Sequence, residues 1–309
     1  MIRRVAAIDC GTNSIRLLIA ELAPDGTLVD LDRRLHLTRL GQGVDATGDF
    51  HPDALARTLA GVADFAAEIA GLGVDAVRLV ATSAARDAGN RQAFFAGVRE
   101  RLGVDAEIIT GAEEARLSFR GAITALPHAA EPVLVMDIGG GSTELVLGAG
   151  GALRDASLDI GSVRLRERFL HHDPPTAAEV AAATEHVDRL LDGSGIDLTS
   201  ARTWIGVGGT ATSLSALHQH LPVYDRTLVH GSVLTRAEVI ALADALMASP
   251  IAQIRQLPTM HPRRADVICA GALIASRVAR RSPVDLLVSE SDILDGIARE
   301  LIGGEHAGT

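Results

Sequence analysis

Apolar residues in this chain come in short runs that stop at a carboxylate or a glycine. Val5–Ile8 runs into Asp9, and Val133–Met136 runs into Asp137; Ile15–Ile19, broken only by Arg16, and Leu145–Leu147 follow the two turns. Runs of this length bounded by glycine and hydroxyl residues predict strand, tight turn, strand. Residues 20–50 predict further strands ending in a flexible Gly41–Gly48 loop, with Leu28, Leu31, Leu35, Leu37 and Leu40 as apolar positions. From Pro52 to about Ala70 the period changes: Leu55, Leu59, Val62, Phe65 and Ile69 fall at helical spacing. Ala76–Ala81 predicts a buried strand, Thr82–Arg86 a loop at its end, Arg91–Leu102 a helix and Ala106–Thr110 a strand. A helix then starts at Gly111. In the second half the pattern predicts a helix from Pro175 to about Leu191, a strand at Trp204 and a Gly-Gly-Thr turn with a helix beginning near Ala211. A short strand at His230–Leu234, helices Thr235–Met247 and Ala265–Arg280, a strand at Val284–Ser289 and a helix Asp292–Ile302 complete an α/β alternation.

The two hairpins repeat one pattern. Aligning Asp9 with Asp137 also matches Gly11 with Gly139, Ser14 with Ser142 and Leu17 with Leu145, so D-x-G-x-x-S-x-x-L occurs twice at an offset of 137 − 9 = 128 residues. An offset of domain size predicts two similar domains, each opening on a turn able to grip phosphate. The boundaries are placed at 1–126 and 127–309, with the terminal helix, about 292–302, packing back on the first domain. Two such turns facing each other across a cleft would clamp one phosphate chain from both sides.

Composition narrows the chemistry. With 47% hydrophobic and 22% charged residues among 309, both domains can bury a core. Cys10 and Cys269 make no disulfide framework and no CxxC, and no stretch approaches the ~18 apolar residues of a membrane helix, so a cytoplasmic protein without membrane partners is expected. All 29 basic Lys+Arg positions are arginine. A Walker P-loop and lysine Schiff-base chemistry are therefore excluded. A net charge of −10 argues against nucleic acid as partner, so an anionic ligand must meet a local site.

Consecutive glycines at Gly139, Gly140 and Gly141 let backbone N–H groups converge on an anion, Ser142 and Thr143 add hydroxyl donors, and Asp137 can hold a divalent cation; an ordinary glycine-rich hairpin would use the same residues. Gly208, Gly209 and Thr210 offer a helix N-terminus to a second anion. Arg86 stands at a strand end, where α/β proteins place binding groups. Glu113 and Glu114 open a helix; either suits a water-activating base, although adjacent acids there also simply complement the helix dipole. Arg263 and Arg264 precede a helix, Arg164, Arg166 and Arg168 read as solvated, and His171-His172-Asp173 reads as a surface turn.

Together, Ala7–Ser14, Gly111-Ala-Glu-Glu-Ala-Arg116, Met136–Glu144 and Gly206-Val-Gly-Gly-Thr210 resemble the exopolyphosphatase and guanosine pentaphosphate phosphohydrolase (Ppx/GppA) family, over essentially the whole chain. The resemblance implies two ribonuclease-H-like domains of the actin-like ATPase superfamily with an active-site cleft between them. It implies release of terminal phosphate from inorganic polyphosphate or from pppGpp, a phosphorylated guanosine nucleotide, with Mg²⁺ (or Mn²⁺) as cofactor. Glu114 then corresponds to the catalytic base, and Asp137 and Glu144, joined by Asp9 as the counterpart of Asp137, to the metal-associated acids. Gly11, Thr12, Asn13 and Ser14, the Gly139–Thr143 turn and Gly208–Thr210 would grip phosphates, with Arg86 and Arg264 as cationic contacts. Longer members carry an HD-type C-terminal helical domain with no counterpart here, so short chains are the expected substrate. A homodimer is among the expected assemblies. An actin-fold kinase or ATPase and a non-catalytic alarmone or polyphosphate regulator remain the alternatives.

Overall fold

A computed structural model describes residues 3–24 and 26–304. The chain divides into two compact units, residues 1–121 with 293–309, and residues 122–292.

The first unit holds a five-stranded sheet of β1 (Arg4–Cys10), β2 (Ile15–Leu22), β3 (Leu28–His36), β4 (Ala76–Ala81) and β5 (Ala106–Ile108) in the order 3-2-1-4-5. β1–β2–β3 is an antiparallel meander, while β4 and β5 join in parallel, each reached through helical segments. One face packs on helices Pro52–Leu72 and Gln92–Leu102, through Ile8, Ile15, Leu17, Phe65 and Phe94. The sequence sets the limits of the first of these helices: proline occupies its first turn and Gly73, at φ 62°, closes it. Helix Ile293–Gly303 covers the other face through Ile293, Leu294 and Ile297 against Val5, Leu18 and Val80. Burying each such side chain contributes about 1.5–3 kcal/mol.

The second unit repeats the plan. β6 (Val133–Ile138), β7 (Thr143–Ala149), β8 (Ala152–Leu158), β9 (Thr203–Val207), β10 (Val233–Leu234) and β11 (Leu286–Val288) lie in the order 10-11-9-6-7-8. Read from β8, the order 8-7-6-9-11 is the 3-2-1-4-5 of the first unit with the same directions, and β10 adds an antiparallel edge. Its core gathers Leu134, Met136 and the fully buried Trp204 under helices Ala177–Asp192, Gly208–His218, Arg236–Ala248 and Ile268–Ala279. Among the described residues no helix is long and apolar enough to cross a membrane.

Several local outcomes differ from the sequence expectation: Val44–Thr47 form a helical turn inside the expected Gly41–Gly48 loop, and of the expected strand His230–Leu234 only Val233–Leu234 are strand. Residues 83–87 form a short helix and not an open loop, so Arg86 sits in a helical turn. Edge strand β8 and helix Ser162–Phe169 carried no clear period, because β8 is mostly solvent-facing. Arg164, expected in solvent, is 8% exposed and pairs with Asp159 at 3.0 Å. The helix expected near Ala211 already begins at Gly208, so the Gly-Gly-Thr segment is its first turn.

Candidate active site

Both hairpins close in the same way. Gly139 N–H donates to Ser142 O at 3.0 Å and Gly11 N–H donates to Ser14 O at 2.9 Å, which sets the strand register on either side. In the second unit that register brings Asp137 directly opposite Glu144. Both are buried, Glu144 to 1% exposure, and Ser157 donates to Glu144 Oε1 at 2.9 Å. In the first unit the same register brings Asp9 opposite Arg16, whose Nη2 lies 2.6 Å from Asp9 Oδ2. The sequence repeat predicts Asp9 and Asp137 as equivalent acids. The structure gives one an acid as its cross-strand neighbour and the other a guanidinium.

The glycine turn owes its form to a residue that the sequence reading passed over. Ser162 N–H donates to Gly139 O at 2.9 Å, and the amides of Val163 and Arg164 donate to Gly140 O at 2.9 and 3.0 Å. In a trans peptide the N–H points opposite to the preceding C=O. With both carbonyls turned into helix Ser162–Phe169, the amides of Gly140 and Gly141 are turned away from it, as an oxyanion cradle requires. Gly161 permits this approach, since a Cβ there would lie 2.4 Å from the Gly140 carbonyl. The Thr143 hydroxyl, by contrast, is committed to Ile160 O at 2.6 Å and fully buried, so it braces the turn.

β9 runs parallel to β6 with Val207 beside Asp137, and it delivers helix Gly208–His218 to that carboxylate. Gly208 has φ 74°, and a Cβ there would sit 2.7 Å from Asp137 Oδ1. Arg264 lies on the same turn: Nη1 donates to Gly209 O at 3.2 Å and to Ser213 Oγ at 2.8 Å, and a Gly209 Cβ would meet Nη2 at 2.6 Å. The Thr210 hydroxyl lies 3.4 Å from Ile138 O and would be 2.7 Å from a Cβ at Gly271. Asp137, Glu144, Gly139–Thr143, Gly208–Thr210 and Arg264 are thus one constellation within the second unit.

The first unit assembles its own group. Arg86 Nη1 donates to Ile109 O and to Glu114 Oε2, both at 2.9 Å. Of the two acids at that helix start, Glu114 is 9% exposed and held by Arg86, whereas Glu113 turns to Arg78. The turn Gly11–Ser14 is braced from behind by residues 38–41: Arg39 N–H donates to Asn13 O at 3.0 Å and Gly41 N–H to Thr12 O at 2.9 Å. Buried Thr12 Oγ1 and Asn13 Oδ1 have no hydrogen-bond partner. Sequence reading missed this brace; its mark is Gly41, where a Cβ would come 2.3 Å from Thr12 Cγ2.

Among the described residues no group of three or more His, Cys, Asp or Glu could hold a metal ion alone. His171 and His172 lie in an exposed turn, where their backbone amides bond Glu179. Magnesium, however, is usually bound through one or two carboxylates and completes its shell with water and phosphate oxygens. Two carboxylates paired across β6 and β7, beside the glycine turns at Gly139–Gly141 and Gly208–Gly209, fit that requirement.

Two units on one strand order, each opened by a hairpin whose first strand carries an aspartate beside the turn, define a phosphate-handling α/β protein of the ribonuclease-H-like, actin-like class. The Ppx/GppA phosphatase family model matches residues 18–290, and the chain belongs to that family. Exopolyphosphatase 2 of Mycobacterium tuberculosis is 49% identical over 315 residues, covering 97% of this chain and 99% of the relative. The crystal structure of the Aquifex aeolicus family member superposes with a TM-score of 0.83 at 34% identity over 100% of both chains. An exopolyphosphatase from Cytophaga hutchinsonii gives 0.90 at 27% identity, covering 99% of this chain and 100% of that one.

Proposed function

We propose that this protein is an exopolyphosphatase that releases the terminal phosphate of inorganic polyphosphate with a divalent metal, Mg²⁺ or Mn²⁺, and that pppGpp is an alternative substrate of the same chemistry. The observation that carries this reading is the Asp137–Glu144 pair beside the glycine turn, in a chain aligned along 97% of its length with Exopolyphosphatase 2.

Hydrolysis of a phosphoric anhydride forms one P–O bond to water and breaks one to the leaving chain. Catalysis is mostly positioning and charge neutralisation. Backbone amides of Gly140 and Gly141 and the first turn at Gly208 and Gly209 would hold the equatorial oxygens, with Arg264 adding positive charge beside them. Asp137 and Glu144 would hold the divalent ion, which when bound neutralises the developing charge. Glu114, oriented by Arg86, would take the proton of the attacking water.

A single assay tests the reading: metal-dependent phosphate release measured side by side on short polyphosphate, long polyphosphate, pppGpp and ATP. Release from the polyphosphates, abolished by EDTA, is expected. Release from ATP alone would make the protein an ATPase, and tight binding without release would make it a regulator.

A further inference from the structure

Arg78 holds three carboxylates at once. It projects from β4 with its side chain 2% exposed; Nε and Nη2 reach Glu107 at 3.0 and 2.9 Å, Nη2 reaches Glu113 at 2.9 Å and Nη1 reaches Glu300 at 3.0 Å. Each acid belongs to a different element: Glu107 to β5, Glu113 to the first turn of helix Gly111–Ala125, and Glu300 to helix Ile293–Gly303. Glu300, also 2% exposed, takes further bonds from Arg116 at 2.5 Å and Arg120 at 3.4 Å. The two helices meet backbone to backbone at Gly296, where a Cβ would lie 2.2 Å from Leu117 O.

This network ends beside Glu114. Thr110 Oγ1 accepts from Glu113 N–H at 3.2 Å, and Thr110 O from Glu114 N–H at 2.9 Å, so the turn is capped in place. Neighbouring helix positions point about 100° apart; Glu113 therefore bonds Arg78 while Glu114 bonds Arg86. Burying an arginine with carboxylates yields little net stability against an apolar substitute, because both partners lose their water. What it does supply is a fixed geometry.

We infer that Arg78 is a positioning residue for hydrolysis: through Glu113 it fixes the helix turn that aims Glu114, and helix Ile293–Gly303 backs that anchor through Glu300. The inference rests on Glu114 acting on the attacking water.

Glu113→Gln and Glu107→Gln each remove one charge from the same arginine, and both sites are partly exposed, so both variants should fold. In Glu113→Gln, kcat is expected to fall about tenfold with KM unchanged, since small misplacements of a reacting group carry penalties of that order or more. Amides 113–117 should also exchange hydrogen faster. Glu107→Gln should match the wild type in both respects. Equal kcat and equal exchange in the two variants would overturn the inference while leaving the proposed function intact. If the wild-type protein released phosphate from no substrate, that function would fall and exchange would judge the anchor alone: faster exchange only in Glu113→Gln supports it, equal exchange refutes it.

Discussion

Asp137 and Glu144 face each other across β6 and β7, at the two positions that hold Asp9 and Arg16 in the first hairpin. The hairpins share their turn bond and their register, so Arg16 and Glu144 occupy matching positions opposite their aspartates. Like charges directly opposite in an antiparallel pair are destabilising. Arg16 supplies the first hairpin with an internal cation; in the second, the divalent cation proposed above would offset the repulsion.

Glu144→Gln tests this directly. It leaves Asp137 beside a neutral amide that can still accept from Ser157. Mn²⁺ affinity by titration calorimetry is expected to fall at least tenfold, and kcat by about 10²–10³, the scale of losing one electrostatic contact in a transition state. In EDTA its melting temperature should equal or exceed that of the wild type. A lower melting temperature in EDTA would mean that the two acids do not repel each other.

The first hairpin allows the reciprocal experiment. Arg16→Glu recreates there the acid pair of the second unit, because 144 − 16 = 128 is the offset of the repeat. The variant should melt lower than wild type in EDTA and regain part of the loss with Mn²⁺, with a second binding event in the titration. If no metal-dependent recovery occurs, register alone does not make the site.

Glu114→Gln keeps an acceptor for Arg86 and removes the proposed base. The expected result is a loss of about 10²–10⁴ in kcat, the usual share of a positioned general base, with KM and melting temperature near wild type. Turnover within a few-fold of wild type would move the proton to another group.

How much of this site the sequence shows depends on the range of each contact. The glycine turns, Asp137 and Gly208–Thr210 are legible because glycine, carboxylate and hydroxyl cluster within a few residues. The Asp9–Arg16 pair was within reach, since the repeat that aligns Asp9 with Asp137 also aligns Arg16 with Glu144. Gly161 was not: its role is to let residues 139–140 touch the start of a helix that has no clear apolar period. Arg78 lay further out of reach, because Glu300 is 222 positions away and only the return of helix Ile293–Gly303 to the first unit brings them together.

Gly208 offers the sharpest separation of backbone strain from site geometry. It has φ 74° and a Cβ would stand 2.7 Å from Asp137 Oδ1; Gly195 has φ 73°, is exposed, and a Cβ there would meet nothing within 4 Å. Alanine at either position pays the left-handed penalty of about 1–2 kcal/mol. Only at Gly208 must the Asp137 carboxylate also move. Gly195→Ala should therefore lower stability in denaturant melts and leave turnover and Mn²⁺ affinity unchanged. Gly208→Ala should lower stability further and reduce both turnover and Mn²⁺ affinity at least tenfold. If the two variants lost stability equally and retained equal activity, the contact between Gly208 and Asp137 would have no part in forming the site.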